Sequence, residues 1–161
     1  MEEHYGAASE AHAAELAHHF AEAETVLGTE KLVHYSLAAG ERALAIYAYE
    51  EAQGHFERAL AAREGQPMDG DTAALLFGLG RAQGSIFPLH RLHEAVATVK
   101  RAFDYYAEVG DVARAVAVAK FPVVTLTGGN VGMTRIIARA LNLLPPNSPD
   151  AGTLLAQYGR F

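Results

Sequence analysis

A glycine cluster between Val123 and Thr134 (VVTLTGGNVGMT) is the first feature of this sequence that could support chemistry. An apolar run leading into a glycine-rich turn is typical of phosphate loops, where free N–H groups at the start of the next helix bind a pyrophosphate. The third glycine of that motif is replaced by Thr134, and no acidic residue follows at the spacing that contacts a ribose. We therefore predict an inter-helix loop. The alternative is a nucleotide-binding enzyme domain that uses the Gly128–Gly132 loop.

Gly78, Gly80 and Gly84 form a second glycine series, G-x-G-x3-G. These glycines lie inside a predicted helix rather than between a strand and a helix. Close packing of neighbouring helices therefore explains them better than nucleotide binding does.

Histidines are numerous, and Glu15 with His18 forms an E-x-x-H pair, which is half of what a di-iron helical bundle requires. The other close set, His90, His93 and Glu94, lacks that order. No cysteine is present and no serine lies in a G-x-S-x-G turn, so thiolate and serine nucleophiles are excluded. The sequence predicts no catalytic residue, no metal site and no cofactor, and it predicts solvated or packing roles for the eight histidines His4, His12, His18, His19, His34, His55, His90 and His93.

Composition narrows the class of protein further. The 161 residues have a formal charge of −6, without a basic cluster that would indicate a nucleic-acid partner. Half of the residues are apolar and a fifth are charged, which is typical of a globular domain. No stretch of about 18 apolar residues predicts a membrane span, and the acidic N-terminus is unlike a signal peptide. We expect a cytoplasmic protein with a single domain over 1–161.

The elements that must position these residues are helices. Alanine is the commonest residue, and it lets neighbouring helices approach closely. Asp71 or Thr72 is predicted to cap one helix, and Gly110 to end another. Apolar positions three and four residues apart predict an all-α domain of eight helices with no strand: Glu10–Glu24, Glu30–Ile46, Tyr49–Arg63, Ala73–Gln83, His90–Val109, Asp111–Lys120, Met133–Leu143 and Asp150–Tyr158.

A repeat of about 34 to 40 residues lies within these helices. Its clearest unit has the spacing G-x11-A-x3-F-x2-A, which resembles the tetratricopeptide repeat; the residues are Gly40, Ala52, Phe56 and Ala59. A second unit has about three residues inserted around Ser85–Pro88; its residues are Gly80, Ala95, Val99 and Ala102. A third unit is more degenerate, with Ala115, Ala119, Ile137 and Ala140.

Several runs resemble a particular family, the large ATP-binding LuxR-type transcriptional regulators related to the maltose regulator, and similar ATPase-containing adenylate cyclases. The similar region is the helical repeat region that follows their ATPase core, and the runs are His12–Ala23, Ala39–Ala45, Tyr47–Ala52, Phe56–Leu60, Leu76–Gln83 and Leu143–Pro146. This resemblance implies a sensor and scaffold arm that binds an inducer or a protein partner and acts on a parent ATPase domain in cis. The sequence has no G-x4-G-K-[ST] and no helix-turn-helix, so those parts would lie outside this chain.

The combined prediction is a right-handed α-solenoid of tetratricopeptide-like hairpins, a fragment of a larger multidomain protein. Its predicted function is protein–protein interaction or effector sensing without catalysis, with no direct contact to nucleic acid. Five tyrosines could line a concave peptide groove, although buried packing between repeats is the commoner fate of such residues: Tyr35, Tyr47, Tyr49, Tyr105 and Tyr106. A further alternative is a self-associating structural module, in which an exposed end helix pairs with another copy to form a homodimer.

Overall fold

The computed structural model describes residues 28–122 and 131–159, and within these ranges all regular structure is helical. The predicted all-α class is therefore confirmed for the described chain, whereas the predicted first helix, Glu10–Glu24, lies outside it. None of the described helices is long and apolar enough to cross a membrane. The described helices are α1 (Thr29–Ala45), α2 (Tyr49–Ala62), α3 (Gly70–Ile86), a 3-10 helix (Leu89–Arg91), α4 (Leu92–Glu108), α5 (Val112–Ala119), α6 (Val131–Leu141) and α7 (Pro149–Tyr158).

The chain divides into two compact units between Pro67 and Met68. In the first unit, α1 and α2 pack as a hairpin around a contact between Gly40 and the ring of Phe56. A Cβ atom at residue 40 would lie 2.4 Å from Cζ of Phe56, so only glycine leaves room for the ring. Ala52, Phe56 and Ala59 are fully buried, so this stripe of α2 faces the core.

A Schellman motif ends α1, and its left-handed position is occupied by a tyrosine. The N–H of Ala48 donates to the carbonyl of Ala43 at 2.9 Å, and the N–H of Tyr47 donates to that of Leu44 at 3.1 Å. Tyr47 has φ +63°, a conformation that glycine adopts without steric cost. The same pair of hydrogen bonds ends α4, where Gly110 takes the left-handed position at φ +76° as predicted.

In the second unit, α3 and α4 form an antiparallel hairpin. Gly80 on α3 packs against Val99 on α4, and a Cβ at residue 80 would lie 2.4 Å from Cγ2 of Val99. At the other end of the hairpin, the Tyr106 hydroxyl approaches the carbonyl of Gly70 at 3.4 Å. The close packing predicted for the second glycine series is thus confirmed at Gly80.

The N-cap predicted for α3 is wrong. Asp69 caps this helix, because its carboxylate accepts a hydrogen bond from the N–H of Thr72 at 2.9 Å. Asp71 lies in the first turn of the helix instead. The helix therefore begins at Gly70, one residue before the first of the two predicted caps.

The remaining helices complete the second unit. Helix α4 packs against α3, α5 and α6, and α7 packs against α6. Asp111 caps α5 and Ser148 caps α7 through their side-chain oxygens. The four residues assigned to the third predicted repeat unit are all buried: Ala115, Ala119, Ile137 and Ala140.

Substituting Gly40→Ala or Gly80→Ala should lower the free energy of unfolding by about 1–3 kcal/mol, because the new methyl overpacks the hairpin. Chemical denaturation measures the loss. Gly54→Ala in α2 is the control, since a Cβ there has nothing within 4 Å, and it should stabilise by about 0.5–1 kcal/mol. Equal stability of Gly40→Ala and Gly54→Ala would show that the glycine contact does not constrain the hairpin.

Substituting Tyr47→Gly should raise the free energy of unfolding by about 1 kcal/mol, because it relieves a side chain from the left-handed conformation. Tyr47→Ala serves as the control, since it removes the ring and keeps the conformational penalty. Gly110→Ala should destabilise by about 1 kcal/mol at the matching position of α4. Thermal melts of the three variants check the prediction, which fails if Tyr47→Gly is no more stable than Tyr47→Ala.

Candidate functional site

Three of the five predicted groove tyrosines lie in the first unit, and they differ in exposure. Tyr35 is buried and stands edge-to-face with His34, their ring centroids 5.2 Å apart. Tyr47 is 76% exposed, and its ring stands edge-to-face with that of the half-buried Tyr49 at 6.1 Å. Tyr47 and Tyr49 therefore form a surface pair, whereas Tyr35 belongs to the core.

The other two tyrosines lie side by side on α4 in the second unit. Tyr106 is buried against α3, the guanidinium of Arg114 lies 5.7 Å from its ring centroid, and burial raises the pKa of its hydroxyl above the ordinary value. Tyr105 is half-buried and reaches the surface. The packing role is thus the better description of Tyr106, and Tyr105 keeps the predicted surface role.

Two open grooves flank the outer surface of α4. One, of about 540 Å³, lies between α4 and α6; it is lined by Phe103, Asp104, Ala107, Glu108, Arg139, Asn142 and Leu143. The other, of about 590 Å³, includes the predicted Tyr105; it is lined by Met68, Arg101, Asp104, Tyr105, Glu108 and Val109. Asp104 and Glu108 lie on the ridge that separates the two grooves, which we call the α4 ridge.

An ion-pair network fixes one end of the α4 ridge. The carboxylate of Asp104 accepts hydrogen bonds from Lys100, one turn earlier, and from Arg139 on α6. Burial opposes ionisation of Asp104, but these two hydrogen bonds outweigh it, so the pKa of its carboxyl lies below the ordinary value. The guanidinium of Arg139 also lies 4.9 Å from the ring centroid of Phe103. The carboxylate is therefore a fixed anion that joins α4 to α6.

The sequence indicated only part of this network. Lys100 and Asp104 have the four-residue spacing of a helical ion pair, which is visible in the sequence. Arg139 is far along the chain, and only tertiary packing brings it to Asp104.

Within residues 28–122 and 131–159, no group of three His, Asp or Glu residues could hold a metal ion. His90 and His93 are exposed, and Glu94 pairs with Arg91 through two hydrogen bonds. The Glu15–His18 pair lies outside the described residues, as does most of the glycine cluster, because only its end falls in α6. The nucleotide-binding alternative is thus a prediction that no described residue tests.

His55 is a buried histidine whose role the sequence did not distinguish from those of the exposed ones. It is 7% exposed, its Nε2 lies 3.6 Å from a carboxylate oxygen of Glu51, and its Nδ1 has no hydrogen-bond partner among the described residues. Burial, with a smaller contribution from the positive charge of Arg58, lowers the pKa of His55, and Glu51 offsets part of this. The imidazole is therefore a neutral packing residue at pH 7.

No family model, no curated protein and no solved structure matches this chain. The function of the α4 ridge and its grooves therefore has to be inferred from their lining residues and ion pairs.

Acidification should weaken the fold through His55. The unfolded chain takes up a proton near pH 6.5, whereas the folded chain does so only at lower pH, so the free energy of unfolding falls as the pH drops below about 6.5. Urea titrations between pH 8 and pH 5 measure this slope, which should be shallower in His55→Gln. Gly54→Ala, which changes the neighbouring residue without removing a titratable group, should keep the wild-type slope. Identical slopes in all three proteins would contradict the assignment.

Proposed function

We propose that this chain is a tetratricopeptide-like repeat module that binds a protein partner or a small effector and has no catalysis of its own. The observation that carries the proposal is the recurrence of one contact in two hairpins. In each, a glycine on the first helix packs against a large side chain on the second: Gly40 with Phe56, and Gly80 with Val99.

The residues around this contact recur as well. The large side chain has a fully buried alanine four residues before it and another three residues after it. These are Ala52 and Ala59 beside Phe56, and Ala95 and Ala102 beside Val99. Equal spacing and equal burial support two copies of one structural unit, as expected of a repeat protein.

A hairpin of this kind buries only part of its apolar surface by itself, and neighbouring hairpins bury the rest. The proposal therefore includes the right-handed solenoid predicted from the sequence, with α5 and α6 as the next hairpin. Such arrays bind extended or helical peptides on their surfaces. The resemblance to LuxR-type regulators supports an effector-sensing role beside an ATPase domain in a bacterial signalling protein, and that role would be cytoplasmic.

The grooves beside the α4 ridge are the surface that suits a peptide best. Tyr105 and Val109 offer an apolar ring and side chain, and Val109 is 56% exposed. Arg101 and Glu108 supply both signs of charge at the rim. An aromatic anchor with a polar rim is typical of peptide-binding surfaces.

Selection from a phage-displayed random peptide library on the full chain tests this function. Synthetic versions of the selected peptides should bind in anisotropy titrations, and Tyr105→Ala should weaken them at least tenfold, about 1.4 kcal/mol. His90→Ala, at an exposed position that lines neither groove, should leave the affinity unchanged. Thermal melts of both variants check that the fold is intact.

Thermal melts of the full chain in the presence of ATP or NAD test the enzyme alternative. A saturable rise in melting temperature with either nucleotide would favour the enzyme alternative at the Gly128–Gly132 loop. Failure of the library to yield a peptide that depends on Tyr105 would contradict the proposed binding surface.

A further inference from the structure

Helix α4 carries five acidic or basic side chains, and two of them are left without an ion pair in the part of the chain that the structure describes. Three of the five are paired, and these pairs are Glu94 with Arg91, Lys100 with Asp104, and Asp104 with Arg139. The other two, Arg101 and Glu108, are both exposed. They are therefore the charges on α4 that a ligand could pair with.

Both of these side chains line the same groove, the one that contains Tyr105. Arg101 and Glu108 are seven positions apart, which is close to two helical turns, so they lie on one face of α4 and about 10 Å apart along its axis. Tyr105 lies between them, and Met68 contributes a further apolar side chain. This groove therefore has a cation at one end, an anion at the other and an apolar surface between them.

The third charged residue of the groove does not disturb this arrangement. Asp104 also lines the groove, but its carboxylate already accepts hydrogen bonds from Lys100 and from Arg139. Its negative charge is thus balanced within the chain. A ligand in the groove would meet Arg101 and Glu108 as the unbalanced charges.

The position of Glu108 in the helix strengthens its preference for a cation. Glu108 is the last residue of α4, and the last turn of this helix holds no basic residue. The C-terminal end of a helix carries a partial negative charge, so an acidic side chain there is unfavourable and a cation nearby is favourable. A basic side chain of a ligand would balance both the carboxylate and the helix end.

We propose that this groove binds a segment of a partner protein in which an acidic and a basic side chain lie about 10 Å apart with an apolar side chain between them. The acidic side chain pairs with Arg101, the basic one pairs with Glu108, and the apolar one packs against Tyr105. A helical segment has this arrangement at positions i and i+7, and a polyproline II segment has it at i and i+3. The inference rests on the proposed function and specifies the chemistry of its partner.

The parts of this chain outside the described ranges do not have the composition of such a segment. Residues 1–27 contain no lysine or arginine, and residues 123–130 contain no charged side chain. Residues 160–161 supply one arginine and no acidic side chain. None of these parts combines an acidic residue with a lysine or arginine.

The polarity of the groove favours a partner that binds reversibly over a segment that covers α4 permanently. The inner face of α4 packs against α3 through apolar residues, and Ala95, Val99 and Ala102 are fully buried there. The groove instead has two exposed charges, which remain hydrated when no ligand is bound. Interfaces that form and dissociate have such polar rims, whereas permanent interfaces are more apolar.

Charge reversal with rescue tests the inference, and the probes are synthetic peptides selected by the full chain from a random dodecamer library. Peptides whose binding depends on Tyr105 should share an acidic and a basic position three or seven residues apart. Arg101→Glu should weaken such a peptide at least tenfold in anisotropy titrations. A lysine in place of the acidic residue of the peptide should restore its binding to Arg101→Glu and weaken its binding to the wild-type chain.

The opposite end of the groove allows the reciprocal experiment. Glu108→Lys should weaken the same peptide at least tenfold, and a glutamate in place of the basic residue of the peptide should restore binding. Arg135→Glu is the control, since it makes the same change of charge at an exposed position of α6 that lines neither groove, and it should leave the affinity unchanged. Thermal melts of the three variants check that each is folded.

The outcomes separate this inference from the proposed function. Peptides that require Tyr105 but bind Arg101→Glu and Glu108→Lys as tightly as the wild-type chain would overturn the inference and leave the proposed function standing. A library that yields no peptide dependent on Tyr105 would contradict both. A doubled molecular mass of the wild-type chain in light scattering, reduced to that of a single chain by Arg101→Glu, would assign the groove to a second copy and also overturn the inference.

Discussion

Two helices can pack most closely where one of them carries a glycine. Both helical hairpins of this chain depend on such a contact. Gly40 admits the ring of Phe56, and Gly80 admits Val99. The alanines on either side of the large residue follow from the same constraint, because larger side chains there would hold the helices apart. The many alanines of the chain permit this close packing because their side chains are small.

Much of the described fold could be predicted from spacing alone. Helices α1 to α7 each correspond to a predicted helix, because a buried stripe repeats every three or four residues. The role of Val99 was predictable from Phe56 despite the insertion between Gly80 and Ala95. The structure accommodates those added residues by extending α3 to Ile86 and by inserting the 3-10 helix Leu89–Arg91 before α4. The pattern therefore resumes in register within α4.

The features that could not be predicted depend on tertiary packing or on a local exception. Nothing in the sequence separates the buried His55 from the exposed His34. Tyr47 occupies a left-handed position for which glycine is the expected residue. The position of a glycine therefore does not indicate this end of α1. The contact between Asp104 and Arg139 joins residues that are distant in the chain. Among the candidate site residues, spacing placed Tyr105 on the correct helix but could not distinguish its exposure from that of Tyr106.

Firm anchoring of α7 has a consequence for the way in which the second unit unfolds. Lys120 pairs with Asp150, and the buried Leu154 and the amide of Gln157 fix the helix along its length. Separation of α7 from the second unit would break these polar contacts and expose Leu154 together, so we expect α7 to open only in concert with its neighbours.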